Sequence, residues 1–297
     1  MTSEQINAMS LPDAFVALVE HRWLMRLIDA AIDEDLADRG DLTSQISIDE
    51  STVSTAQMRA RRDGRIAGLG VAVQVAKRYD QRLTFHAKVP DGDAVTAGHV
   101  LAEVAGPARS LLAAERVMLN MLSYLSGIAT LTGRYVQAVA GTNARIYDTR
   151  KTLPGYRGLA KYAVRCGGGF CHRIGLYDAV LVKDNHLAAS GSIKATVQRA
   201  RTLSPDFVEI EVDTLDQLRE ALGCDVDIVL LDNMSPGQLR DAVTMRDEMN
   251  PGVQLEASGG VSLESVHATG ESGVDRIAIG ALTHSVPALD IGLDFSN

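Results

Sequence analysis

Apolar residues recur at helical spacing near the start of the chain, at Phe15, Leu18, Val19, Trp23, Leu24, Leu27, Ile28 and Ala31. That period predicts a helical stretch over residues 11–36, ended by a loop with Gly40, Asp41 and Thr43. Residues 54–106 read mostly as short strands, with one helix over about 68–79 between them. Turn residues in Asp91-Gly92-Asp93 and at Gly98 separate the apolar strands there. Residues 111–139 read as long helical segments, with Gly127 as a candidate break.

After residue 140 the pattern changes. Short apolar runs appear at Arg145–Asp148, Ala179–Val182, Phe207–Val212, Ile228–Leu231, Val253–Glu256 and Arg276–Ile279. Amphipathic segments at 192–203, 214–222, 236–249 and 262–270 lie between most of them. Strands that alternate with helices indicate parallel βα units. Six such units in about 140 residues predict an α/β chain ending in a βα barrel, complete or incomplete. A doubly wound sheet competes, but no G-x-G-x-x-G follows the first strand of this region.

With 297 residues, 46% of them apolar, the chain can bury a large core in one or two domains. The most apolar stretch, Ile66–Ala76, is 11 residues long and contains Gln74, too short to span a bilayer. No basic segment followed by an apolar core opens the chain, so no signal peptide is expected. Three widely spaced cysteines, Cys166, Cys171 and Cys224, imply neither a disulfide framework nor a zinc knuckle. A cytoplasmic protein is the resulting expectation. The formal net charge of −9 and 4% aromatic content argue against a nucleic-acid coat.

Active sites of βα barrels form where the strands end. The six apolar runs end in Asp148-Thr149-Arg150-Lys151, Lys183-Asp184-Asn185-His186, Glu211 with Asp213, Asp232-Asn233, Ser258-Gly259-Gly260 and Gly280-Ala281. Between Arg145 and His186 eight Lys or Arg face three acids, a net +5 that leaves −14 for the rest of the chain. A cationic focus at strand ends of an acidic protein suggests a polyanionic small molecule. Arg157, Lys161 and Arg165, four apart on a predicted helix, read as a solvated face. The run Cys166-Gly167-Gly168-Gly169 beside His172-Arg173 reads as backbone that lets an anion approach. Ser258-Gly259-Gly260, aided by a following helix N-terminus and by Gly280, reads as a phosphate cradle. Glu211 and Asp232 on the inner rim need a cation, a hydroxyl-rich ligand or a basic neighbour.

Motifs along nearly the whole chain carry a family resemblance. They include Glu34-Asp35-Leu36 with Gly40-Asp41-Leu42-Thr43, Glu115-Arg116 through Ser126-Gly127, and Asp148-Thr149-Arg150-Lys151-Thr152 with Pro154-Gly155. Lys161 through Gly169, His172-Arg173, Lys183-Asp184-Asn185-His186, Glu209-Ile210-Glu211, Leu231-Asp232-Asn233, Glu256 through Gly260 and Gly280 through Ser285 follow in order. The chain resembles the quinolinate phosphoribosyltransferases. One departure is Cys171, where the family usually has Asn before His-Arg.

The resemblance implies an N-terminal α/β sandwich domain over 1–125, with 285–297 packing back onto it, and an open, incomplete βα (TIM-like) barrel over 126–284. It implies a homodimer or assembly of dimers whose active sites are shared between subunits. The implied substrates are quinolinate and phosphoribosyl pyrophosphate (PRPP), and the product nicotinate mononucleotide. The expected ligands of these anions are Arg150, Lys151, His172, Arg173 and Lys183, with Arg116 from a partner subunit. Ser258, Gly259, Gly260 and Gly280 are expected at the 5-phosphate, and Glu211 and Asp232 at the ribose hydroxyls and Mg²⁺, partly through water. Lys151, Lys183, Glu211 and Asp232 are the expected catalytic set, and no organic cofactor is implied. Competing readings are a same-fold protein associated with molybdenum transport, a Schiff-base aldolase using Lys183, and a non-catalytic phosphate-binding module.

Overall fold

The computed structural model describes residues 1–186 and 192–295. Among them the chain divides into two compact units, each discontinuous in sequence. One combines residues 9–133, 153–168 and 285–297, of which 296–297 lie outside the described residues. The other combines residues 1–8, 134–152 and 169–284.

The first unit is built on a four-stranded antiparallel sheet in the order β12-β1-β5-β3, with β1 at Val53–Ala60, β3 at Thr84–Ala87, β5 at Val100–Pro107 and β12 at Ile291–Phe295. Residues 11–36, expected as one stretch, form two helices, α2 (Leu11–Leu18) and α3 (His21–Leu36). Val19 and Glu20 are extended between them. Ser10 caps the start of α2 with Pro12 in its first turn, a combination that favours helix initiation. The predicted helix near 68–79 is α5 at Leu69–Tyr79.

Helix α6 runs unbroken from Ala108 to Ala138, so Gly127 is no break. A Cβ at Gly127 would lie 2.3 Å from the Pro287 carbonyl oxygen, so the glycine permits a close backbone crossing. Helix α7 (Arg157–Cys166) corrects the solvated-face reading. Lys161 is fully buried, and Tyr162 packs edge-on against Phe15 at 4.9 Å while its hydroxyl donates to Asp91 at 2.7 Å. At Gly167 a Cβ would meet Thr132 at 2.5 Å and the Ala129 carbonyl at 2.7 Å. Close helix packing, not an anion, explains that position.

The second unit is a six-stranded parallel sheet ordered β6-β11-β10-β9-β8-β7. The strands are β6 Arg145–Tyr147, β7 Val180–Val182, β8 Val208–Val212, β9 Ile228–Asp232, β10 Gln254–Ser258 and β11 Arg276–Ala278. Among the described residues β6 and β7 do not pair, which leaves the barrel open. Helices Ile193–Arg201, Leu215–Leu222, Pro236–Met249 and Val266–Gly270 follow successive strands. Thr214 with Gln217 and Ser235 with Gln238 form capping boxes that fix two of these starts. Val208, Ile210, Val212 and the apolar residues of β9 are buried, as expected of strands covered on both faces. The N-terminal helix α1 (Ser3–Asn7), which the apolar pattern does not announce, belongs to this unit. Its Asn7 side chain donates to the Cys171 carbonyl at 2.9 Å and accepts from the Cys171 amide at 2.7 Å.

Candidate active site

A cavity of about 620 Å³ opens at the C-terminal ends of these strands. It is lined by Arg150 and Lys151 after β6, Lys183 after β7, Glu211 on β8, Asp232 on β9, Ser258, Gly259 and Gly260 from the end of β10, and His172 and Arg173. Ten of the twelve expected site residues thus meet in one place. The two others are not among its lining residues. Arg116 is on α6 in the first unit, its side chain 65% exposed and 4.0 Å from Glu115. Gly280 is not among the lining residues but packs against one of them: a Cβ there would meet Lys151 Cδ at 3.0 Å and His284 Nε2 at 3.2 Å. It makes room for the Lys151 side chain.

Lys151 is set by local bonds. Its amide donates to Thr149 Oγ1 at 3.0 Å, and its carbonyl accepts from Thr283 Oγ1 at 2.6 Å. Lys183 Nζ donates to Glu211 Oε2, and the Lys183 amide donates to His186 Nδ1 at 2.9 Å. Asn233 Nδ2 donates to Asp232 Oδ2 at 2.7 Å. The Arg173 pKa is pulled down, first by burial and then by the charge of Arg150. Arg150 Nε is itself buried without a hydrogen-bond partner. Two like charges and an unanswered donor define a place for an anion.

At Gly259, φ is +90° and a Cβ would lie 2.2 Å from Asn233 Oδ1, so only glycine fits. Gly260 has φ of +60° and open space around its Cβ position. The helix expected to follow this turn is present but begins only at Val266. The chain first makes a further turn, with the Ser262 carbonyl accepting from the Ser265 and Val266 amides. Any cradle here is made of loop backbone.

With the site in view, the comparisons with known proteins decide the family. The model of "Quinolinate phosphoribosyl transferase, C-terminal domain" matches residues 128–294, and that of the corresponding N-terminal domain matches residues 41–126. The chain belongs to the quinolinate phosphoribosyl transferase family. A nicotinate-nucleotide pyrophosphorylase [carboxylating] of Mycobacterium leprae is 47% identical over 272 residues, covering 90% of this chain and 95% of that protein. A probable nicotinate-nucleotide pyrophosphorylase [carboxylating] of Bacillus subtilis is 42% identical, covering 93% and 94%. A solved nicotinate-nucleotide pyrophosphorylase structure from Francisella tularensis superposes with a TM-score of 0.89 at 38% identity, covering 94% of this chain and 98% of the other. Among the described residues no helix is long and apolar enough to cross a membrane.

Three charged residues of this family member, Glu209, Glu256 and Arg276, escaped the reading by strand ends. Glu209 and Glu256 are fully buried, like Asp148 at the end of the first run, and Arg276 is nearly so. His172 Nε2 lies 3.0 Å from Glu209 Oε2 and 3.2 Å from Glu256 Oε1, and Arg276 Nε donates to Glu256 Oε2 at 2.6 Å. The Arg276 guanidinium also stacks 3.8 Å over the Tyr147 ring. One signal in the sequence could have found them. Glu209, Glu256 and Arg276 interrupt otherwise apolar runs, and a charge there needs a buried partner.

Proposed function

We propose that the protein transfers the phosphoribosyl group of PRPP to the ring nitrogen of quinolinate, giving nicotinate mononucleotide, pyrophosphate and CO₂. The observation that carries this reading is the cavity itself. In a chain of this family, Arg150, Lys151, Arg173 and Lys183 converge there on a space bordered by Glu211 and Asp232. Both substrates are polyanions, and a cationic pocket both attracts and orients them.

The cations hold the carboxylates and phosphates, Arg as a planar fork and Lys as a point charge. The glycine-rich end of β10 offers backbone amides to the 5-phosphate. The quinolinate nitrogen attacks C1 of the ribose as the C1–O bond to pyrophosphate breaks. Positive charge grows on the sugar, and Glu211 and Asp232 stabilise it. The quaternised nitrogen then stabilises the carbanion left when the adjacent carboxylate departs as CO₂, and a proton from water replaces it. Glu211 and Asp232 stand on adjacent strands and present only oxygen donors, the set a Mg²⁺ ion prefers. When bound, the ion would neutralise charge on the leaving pyrophosphate. Lys183 pairs with Glu211, an arrangement that suits anion binding better than Schiff-base formation.

The assay is direct: incubation with quinolinate, PRPP and Mg²⁺ yields nicotinate mononucleotide and CO₂ in equal amounts. Absence of both rejects the reading.

We also propose that the protein works in the cytoplasm as a homodimer in which Arg116 reaches the cavity of the neighbouring subunit. Its three cysteines are free, and Arg116 is exposed on a helix of the other unit. Mixing Arg116→Ala with Lys183→Ala subunits then restores one intact site per mixed dimer, roughly a quarter of full activity after random exchange. A mixture no more active than its parents places Arg116 outside the shared site.

A further inference from the structure

The floor of the cavity is a buried charged group around His172. On one side of the ring stand Glu209 and Glu256, with Nε2 at 3.0 Å and 3.2 Å from their oxygens. On the other, the Arg173 backbone amide donates to Nδ1 at 2.7 Å. The His172 amide donates to Asp148 Oδ1 at 2.8 Å, and Phe207 packs edge-on against the ring at 5.6 Å. Both neighbours of Nε2 are acceptors, so Nε2 carries the hydrogen, whereas Nδ1 accepts and keeps its lone pair.

The contact at Nε2 is shared between two carboxylates. Glu209 Oε1 and Oε2 and Glu256 Oε1 have no aligned hydrogen-bond donor. The two carboxylates therefore hold the ring by the pull of their charge on the Nε2–H dipole more than by directed bonds. Burial pulls the ring's pKa down, and Glu256 and Glu209 outweigh it, so the net direction is upward. A second proton on Nδ1 would meet the Arg173 N–H at 2.7 Å and break that bond, so the amide opposes this rise. We take that geometry to keep the ring neutral at neutral pH.

We propose that Glu209 and Glu256 are positioning residues for Arg173. They orient the His172 ring through Nε2–H, and the ring in turn anchors the Arg173 amide through Nδ1. That anchoring sets where the guanidinium enters the cavity. Arg276, bonded to Glu256, keeps that carboxylate in place. The role rests on the reading that the cavity binds the dicarboxylate. The same three side chains bring ligand atoms within 4.8 Å of one another, close enough to hold a cation. The Arg276 guanidinium already supplies positive charge there.

The test uses the isosteric variants Glu209→Gln and Glu256→Gln, which keep shape and remove charge. Quinolinate binding is followed by calorimetry, turnover by nicotinate mononucleotide formation, and the ring by ¹⁵N-histidine NMR, with His172→Gln assigning the signal. The expected result is a protonated Nε2 and a bare Nδ1 in the unaltered protein. In the variants the His172 signals shift, and the quinolinate Kd and KM rise about fivefold with kcat within about twofold. Unchanged signals and KM, or a fall in kcat alone, overturn the proposal. So does a wild-type ring protonated at Nδ1, which decides the matter even if the variants do not fold. A stoichiometric metal ion that is lost with His172→Gln overturns it too. If the unaltered protein binds no quinolinate and forms no product, the proposed function fails first, while the NMR result still reports on the ring.

Discussion

Glu211 and Glu209 are two residues apart on one strand and point to the same face of the sheet, yet they live in different solvents. Glu211 faces the cavity, its side chain 12% exposed, beside a Lys183 that is 44% exposed. Glu209 has no exposed surface and looks onto His172, itself nearly buried. The mouth of the barrel is thus a set of charges that water and ligands can reach. Its floor is a set that must satisfy itself. Charges at the mouth are free to change partners when an anion arrives. Charges on the floor would lose far more than they gain by moving, because the low-dielectric interior strengthens every pairing and penalises every vacancy.

The largest effect expected from this contrast is on the floor. Arg276→Met keeps length and apolar stem but leaves Glu256 without its guanidinium partner. Breaking a buried pair in this way costs about 3–5 kcal/mol. Denaturant unfolding should show that loss as a lower midpoint with an unchanged slope. A loss below about 1 kcal/mol would mean that solvent reaches the floor.

At the mouth the order reverses. Arg150→Ala and Lys183→Ala should leave the unfolding midpoint within experimental scatter and remove nearly all turnover. Each loses a charge-assisted bond to a bound anion, about 1.5–3 kcal/mol, which is tenfold to more than a hundredfold in rate. Near-normal turnover at limiting and saturating substrate would take both residues out of the site.

The ligand can be trimmed instead of the protein. Nicotinate lacks the second carboxylate, so part of the cationic cluster keeps an unanswered charge. Its kcat/KM should fall at least about tenfold below that of quinolinate. Comparable values would show that the Arg150–Arg173 region does not read the second carboxylate.

The difference between mouth and floor also governs what the sequence discloses. The βα rhythm after residue 140 and the residues just past each apolar run were legible, because strand period and strand ends are local properties. Ser258, Gly259 and Gly260 stood out for the same reason. Depth is not local. Spacing places Glu209 and Glu211 on one face, but only the stacking of strands separates a buried carboxylate from a rim one. The pairing of Glu256 with Arg276 depends on β10 and β11 lying side by side in register. Lys161 looked solvated because four-residue spacing defines a helix face without saying what covers it. Gly127 looked like a break because its reason for being glycine, the Pro287 carbonyl, lies 160 positions along the chain.

Salt gives the smallest expected effect. The Debye length falls from about 10 Å at 0.1 M to about 3 Å at 1 M, so charges facing water lose reach while buried pairs keep theirs. Raising the salt across that range should raise KM for both anionic substrates several-fold through the mouth cations. The stability difference between the unaltered protein and Arg276→Met, measured at both salt concentrations, should stay the same, since taking the difference cancels salt effects common to both proteins. A difference that shrinks with salt would put Glu256 and Arg276 in contact with bulk ions. The floor would then be an extension of the mouth, and the distinction drawn from the burial of Glu209 and Glu256 would not hold.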